Sequence, residues 1–217
     1  MSNEIIIGSG VRVEIGLTES APKTITGLTL TNPGVAACTA HGLAFGSAGY
    51  FTSIVGMDQI DGQAARVTDT GSPSVDNFGL EDIDTSTFSA WVSGTFVPVA
   101  TWSTLSQSTS YQLGGGAAKT EDVGTLIDTR EKLLSIKNAA ETVTIDIRSL
   151  KIDNAALAKI RSVARALGYL VFRITHPTEG VRLFRGQPSL PGESLTQGAT
   201  GTGQLSVTIR GQILYLV

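Results

Sequence analysis

One cysteine (Cys38), two histidines (His41 and His176) and 6% aromatic residues leave little of the usual material for catalysis or metal binding in this 217-residue chain. A lone cysteine excludes an internal disulfide and suits synthesis in a reducing compartment. Charged residues are only 16%, against roughly 25% in an average soluble domain, so the surface is poor in the charge that keeps a free monomer soluble. Such a surface suits a subunit that buries part of itself in an assembly. No apolar run approaches the ~18 residues of a membrane helix. The first seven residues, Met1 to Ile7, lack the basic start and long apolar stretch of a signal peptide, so no secretory leader is expected there.

The charge is divided unevenly. Residues 1–110 hold ten acids and three bases (−7), and residues 111–217 hold nine acids and thirteen bases (+4), which together give the net −3. Halves of opposite sign can orient docking between subunits, and they are equally compatible with solvated faces of one domain.

The 41% of apolar residues is enough for a core, and its patterning is mostly that of strands. Val11, Val13 and Ile15 alternate with Arg12 and Glu14; Val143, Ile145 and Ile147 alternate with Thr144, Asp146 and Arg148. In the last strand Leu205, Val207, Ile209, Ile213, Tyr215 and Val217 share one parity, and from Leu214 onward both parities are apolar, which predicts cover on both faces. One helix is predicted over about 153–167. Asp153 or Asn154 caps its start, Leu157, Ile160, Val163, Ala164 and Leu167 form its apolar stripe, Lys159, Arg161 and Arg165 point outward, and Gly168 supplies a left-handed end. A strand over Tyr169–Thr175 follows. Gly114 to about Leu133 and Pro188 to Gly203 read as long loops, of the kind that are usually functional or ordered by a partner. Residues 24–98 form a distinct stretch of short strands punctuated by Asn32-Pro33-Gly34, His41-Gly42 and Asp61-Gly62. There is no tandem repeat.

Each candidate chemistry falls short of its requirements. Zinc needs about four nitrogen or sulfur ligands, and the sequence offers Cys38 and His41 close together with His176 far off; both histidines precede turn residues and read as turn positions. No serine lies in a Gly-x-Ser-x-Gly elbow, since Gly8-Ser9-Gly10 is too short, and two turn histidines make a hydrolytic triad improbable. Glu81, Asp82 and Asp84 lack the EF-hand pattern; the spacing places Asp82 and Asp84 on one strand face as solvated turn and edge residues. Gly114-Gly115-Gly116, followed by Lys119-Thr120, lacks the strand–loop–helix frame of a phosphate loop. Arg173, Arg182 and Arg185 lie near Phe172 and Phe184, but their parities alternate as inside and outside of strands, and a pI near 5.4 disfavours a dedicated nucleic-acid binder. No catalytic, cofactor-binding or metal residue is therefore assigned, and no cofactor is expected. Assembly is the task that remains.

Two stretches carry a family resemblance. Ile25–Val35, Thr39-Ala40-His41-Gly42-Leu43, Val55–Gly62 and Phe78–Thr85 resemble a small β module recurrent in phage tail proteins, with Ala44–Gly49 departing from its usual polar turn. From Trp102 to Val217, the order of Thr101–Thr109, a glycine-rich loop, paired strands, a helix and terminal strands is similar to siphophage tail tube subunits, the major tail proteins. The resemblance implies a mainly β (α+β) fold: a tail-tube-type β-sandwich with one flanking helix and long assembly loops, comprising residues 1–23 and 99–217, with 24–98 a small all-β module inserted in or fused to it. It further implies a structural virion protein with no enzymatic activity, made in the host bacterial cytoplasm. Copies would associate into homohexameric rings that stack into a tail tube around a tape-measure protein, between terminator and baseplate proteins. DNA would pass through without specific binding, and no membrane is involved. The alternatives are a terminator or baseplate ring and a carbohydrate-binding β-sandwich. A conduit must release its cargo, so the lumen is expected to carry acids and small polar residues rather than the arginines of 159–185. The expected stacking elements are Met1–Gly10, Gly114–Leu133 and, less so, Pro188–Gly203.

Overall fold

The computed structural model describes residues 10–68, 74–122, 133–148, 154–194, 197 and 200–216. These residues are mostly strand. The strands are β1 (Arg12–Glu19), β2 (Lys23–Ile25), β3 (Gly27–Leu28), β4 (Val35–Ala37), β5 (Ala48–Val55), β6 (Ala64–Thr68), β7 (Asn77–Leu80) and β8 (Ser93–Thr104). They continue with β9 (Ser108–Gly114), β10 (Ala118–Asp122), β11 (Leu133–Asn138), β12 (Thr142–Arg148), β13 (Leu170–His176), β14 (Gly180–Pro188), β15 (Gly192–Ser194) and β16 (Thr202–Leu216). One helix, α1 (Ala155–Arg165), and a 3-10 turn at Asp58–Ile60 complete the described elements. A single sheet runs β3-β4-β7-β6-β5-β8-β1-β13-β14-β16-β12-β9, with β2 added on β8 and β15 on β16. The sheet curls until β9 comes back beside β1, leaving a cleft of about 290 Å³ between Val11 and Val13 on one side and Ser108–Tyr111 on the other.

Two cores lie against this sheet. Val13 and Ile15 of β1, Val143, Ile145 and Ile147 of β12, Phe172 and Ile174 of β13, Phe184 of β14, Leu205 and Val207 of β16, and Ala156, Leu157 and Ile160 of α1 bury together. The other core gathers Ile25, Phe51, Phe78, Leu80, Ile83 and Phe96 with Val171, Leu183, Leu214 and Leu216. β13, β14 and β16 thus contribute to both cores, one from each face. β8 links the two regions differently: Gly94–Pro98 pair with β2 and β5, and Val99–Thr104 pair with β1.

The single-parity reading of the last strand holds across Gly211 (φ +85°), since Leu205, Val207, Ile209 and Ile213 all serve one core, but the pairing is irregular there. Leu183 pairs with Leu214 and Arg185 with Arg210, so two residues of β14 span four of β16. The two extra residues leave the parity unchanged: Arg210 and Leu214, opposite Arg185 and Leu183, lie on one face, and Ile209 and Ile213 on the other. Leu205, Val207 and Ile209 point into the first core; beyond the irregularity Leu214 and Leu216 are buried in the other, and Tyr215 is 56% exposed. The expected cover on both faces is therefore absent at Tyr215 within one subunit.

The helix begins at Asn154, whose Oδ1 accepts from the Leu157 N–H at 3.2 Å; Asp153 lies outside the described residues. Its end differs from expectation. Gly168 donates to the Val163 carbonyl at 2.9 Å and Leu167 to that of Ala164 at 3.2 Å, the bond pair of a Schellman ending, and the left-handed residue is Leu167 (φ +53°) rather than Gly168. Leu167 consequently leaves the apolar stripe and is 74% exposed. A leucine held left-handed costs roughly 1–2 kcal/mol.

Both expected long loops contain strands. β10 and β11 form a separate antiparallel ribbon between β9 and β12, closed at its base by the Ala139 N–H donating to the Ala117 carbonyl at 2.8 Å. β15 pairs with the start of β16. Their composition hid this, since neither alternates in hydrophobicity as a half-buried strand does. Because Leu214 is buried in the second core, Leu214→Ala is expected to lower unfolding free energy by about 2–5 kcal/mol in urea titration. Tyr215→Ala, at a residue that is 56% exposed, should cost about 1 kcal/mol or less; the reverse order would show that Tyr215 rather than Leu214 is the buried residue.

Candidate assembly surfaces

β12 alternates strictly, so one face carries Val143, Ile145 and Ile147 into the core and the other presents Thr142, Thr144, Asp146 and Arg148. Register extends that polar face across the neighbouring strands. Gln112, Thr144 and Ser206 form one row; Ser110, Asp146 and Gln204 form the next; Thr142 lies opposite Thr208, and Arg148 opposite Thr202. The Ser110 hydroxyl donates to Asp146 Oδ2 at 2.5 Å and the Gln204 amide to Oδ1 at 3.0 Å. These two bonds hold the Asp146 carboxyl below the usual carboxylate range. The face is a platform of small polar side chains with one fixed acid near its centre and one base, Arg148, at its edge.

The ribbon of β10 and β11 leaves the sheet beside this platform, because β9 and β12 carry its two ends. Among the described residues β9 pairs only with β12, so its other edge offers unpaired backbone groups.

The arginines that suggested nucleic-acid stacking are engaged within the subunit. Arg173 pairs with the buried Glu14 at 2.9 Å and lies over Trp102 at 4.2 Å. Phe172 and Phe184 stack on each other inside the core, 5.4 Å apart and 9° from parallel. Arg185 lies over Tyr50 at 3.9 Å and Tyr169 at 5.1 Å, and burial pushes its guanidinium down from the ordinary range. Beside it Arg210 also lies over Tyr169 and pairs with Asp61 at 2.5 Å. This seam joins residues 24–98 to β14 and β16. It also explains the Asp61-Gly62 turn: Gly62 has φ +78°, and a Cβ there would fall 2.1 Å from Arg210 Nε.

The two histidines are buried structural residues rather than turn residues. His41 Nδ1 accepts from the Leu43 N–H at 2.9 Å, so its proton sits on Nε2, 3.0 Å from the Ser74 carbonyl. His176 Nε2 faces two donors, the Tyr111 hydroxyl at 2.7 Å and the Arg182 guanidinium, which assigns a neutral ring. Cys38 is buried, and burial raises its thiol pKa. Among the described residues no three His, Cys, Asp or Glu side chains converge as metal ligands. The acids near Thr85 separate as well: Glu81 pairs with Arg66, Asp84 accepts from the Ser86 N–H, and Asp82 sits left-handed in a turn, so Asp82 and Asp84 share no strand face. Sequence reasoning missed Thr85, fully buried, whose hydroxyl lies 2.6 Å and 2.9 Å from the Thr29 and Thr31 carbonyls. A threonine in a polar stretch gives no signal of that role. No helix among the described residues is long and apolar enough to cross a membrane.

The described residues present a polar sheet face, an open strand edge and a separate ribbon, features that suit a β-rich assembly subunit. The model of the phage tail tube protein family matches residues 55–212, most of the chain, and the chain belongs to that family. Its role is accordingly structural, as a component of a virion tail tube. Among solved structures it is similar to a chain from the tail of an empty gene transfer agent particle refined helically with C6 symmetry, with TM-score 0.41 and 14% identity over 54% of this chain and 87% of that one. A chain from the virion of a native gene transfer agent particle gives TM-score 0.42 and 13% identity over 54% and 89%. No curated protein matches significantly.

Burial, and then the Arg182 charge, hold the His176 pKa below its ordinary value. Protonation therefore opposes folding. The stability this neutral ring confers is complete above pH ~6.5 and is lost as pH falls below it. Melting temperature should drop between pH 7.5 and 5.5, and His176→Gln should flatten that drop; an unchanged slope would remove the assignment.

Proposed function

We propose that copies of this chain associate into homohexameric rings that stack into the tail tube, with the β9–β12–β16 platform facing the lumen. The observation that carries this reading is the chemistry of that platform. Ser110, Gln112, Thr144, Gln204, Ser206 and Thr208 surround Asp146 there, and the other side of the same strands is buried core. Each phosphate neutralised by a lysine or arginine would add salt-sensitive affinity through counterion release. A wall with one central acid, one base (Arg148) at its edge and otherwise small neutral groups lets DNA pass, and Arg173, Arg182 and Arg185 are occupied by partners inside the subunit.

Residues 24–98 act in this reading as one all-β module set into the tube domain of residues 1–23 and 99–217. The core they share with Leu183, Leu214 and Leu216 supports a place in the wall rather than a swinging decoration. The β10–β11 ribbon is the element that reaches a neighbour. A tape-measure protein fills the lumen before DNA, terminator and baseplate proteins bound the stack, and synthesis takes place in the host cytoplasm.

Negative-stain microscopy of the concentrated protein should show tubes of uniform bore, alone or after addition of phage tail components; isolated rings would instead favour a terminator or baseplate ring. Replacing residues 118–138 with a short glycine linker should leave a folded monomer that forms no tubes, because Ala117 and Ala139 already lie side by side. Normal tubes from that variant would refute the role of the ribbon.

A further inference from the structure

The curled sheet is closed unevenly. β9 pairs with β12 along one edge, and among the described residues its other edge meets β1 only across the cleft. β9 is also weakly anchored: none of its seven residues is buried, and Tyr111 and Leu113 reach the core only in part. The turn before it is tied down, since the Arg148 N–H donates to the Gln107 carbonyl at 2.8 Å and the Asn154 amide to Gln107 Oε1 at 2.7 Å. Farther along, Tyr111 is the one described residue of β9 that hydrogen-bonds to the opposite side. It reaches His176, one residue beyond the Arg12–Thr175 pair where β1 begins. The two rings meet edge to face, 5.6 Å between centroids. The hydroxyl lies 2.7 Å from His176 Nε2 and accepts from the Arg182 guanidinium at 2.9 Å.

We propose that Tyr111, His176 and Arg182 form a clasp across this seam, and that protonation of His176 releases it. Every bond of the clasp depends on a neutral imidazole. Nε2 accepts from Tyr111 and from Arg182, so the ring proton sits on Nδ1, which is buried and has no hydrogen-bond partner among the described residues. A second proton can go only to Nε2. There it turns the acceptor into a donor aimed at two donors, and it sets two cations in contact.

The surrounding groups do little to compensate. Glu179 is the one acid nearby, and it accepts from Arg182 at 3.4 Å. Tyr215 lies 5.6 Å from the same guanidinium, and Gly180, opposite His176 in the hairpin, brings no charge. Arg12, opposite Thr175, belongs to the other face of β13. Burial first, and then the Arg182 charge, outweigh Glu179 and disfavour the charged ring where it stands. His176 can take up its proton at ordinary affinity only by giving up its partners at Nε2, and Tyr111 is then unheld. Release uncovers Val13 behind the cleft and frees the unpaired edge of β9, while the core around Cys38 stays shut. The inference stands apart from the tube reading.

Val13→Cys tests it by placing a second thiol behind the cleft. Val13 is 3% exposed there, and the native Cys38, also 3% exposed, lies in the other core as an internal reference. The two thiols are labelled in dilute protein with a pyridyl disulfide, which reacts in acid, and the ratio of their rates is followed from pH 7.5 to 5.5. That ratio should be level above pH ~6.5 and rise by up to about tenfold per pH unit below it. His176→Gln keeps an acceptor for Tyr111 without an ionisation, and should hold the ratio level throughout. Tyr111→Phe lacks the bridging hydroxyl and should show a raised ratio already at pH 7.5. A level ratio with His176 in place overturns the clasp, even if both thiols speed up together, because the subunit then opens as a whole. A rise that persists in His176→Gln overturns it too. Should His176→Gln fail to fold, Tyr111→Phe decides: an unchanged ratio at pH 7.5 overturns the proposal.

Discussion

Everything in this subunit depends on burying both faces of β13, β14 and β16. A strand covered on one face can present alternating polar residues to solvent, but one covered on both must place apolar side chains at successive positions. Val171 and Phe172 do so in β13, and Leu183 and Phe184 in β14, each pair sending one side chain to each core. β16 meets the same demand by a different route. It alternates along its whole length, with Leu205, Val207, Ile209 and Ile213 turned to the first core and Leu214 and Leu216 to the other, and the positive φ of Gly211 lets the strand take up its two extra residues. The consequence is that the core of residues 24–98, built mainly from their own side chains, is completed by Val171, Leu183, Leu214 and Leu216 from the last third of the chain.

What the sequence disclosed followed from periodicity. Val143, Ile145 and Ile147 named their strand, and Asn154 with Leu157 and Ile160 named the helix, because local chemistry and burial agree there. The glycine at position 62 was legible as a turn, and the Arg210 side chain now gives the reason for it. Elsewhere the pattern carried no usable signal. The exposure of Tyr215 could not be told from alternation, since it continues the parity of Ile209 and Ile213 while its neighbours Leu214 and Leu216 are buried on the other face. The β10–β11 ribbon has no alternating face to display. Its strands are paired through the backbone, and backbone pairing leaves no mark on composition.

The candidate surface was less legible than the fold. Thr144, Asp146, Gln204 and Ser206 stand far apart in sequence and become one platform only through register. The arginines looked available because a sequence shows their charge and conceals their partners. Glu14 is 159 positions from Arg173, and Asp61 is 149 from Arg210. Pairings of that span cannot be inferred from local spacing, yet they decide which bases remain free to meet a polyanion.

β8 has one more implication. Its twelve residues cross from the pairing partners of the 24–98 segment to β1 without a break, so the two regions are joined by a single continuous strand as well as by packed side chains. A force that drags the 24–98 region lengthwise is therefore delivered along the strand. It loads the hydrogen bonds between β8 and β1 together, in shear, rather than peeling them open one after another. A wall built this way yields late and all at once, which is the mechanical behaviour wanted in a pipe that must hold its shape while a long polymer is driven through it.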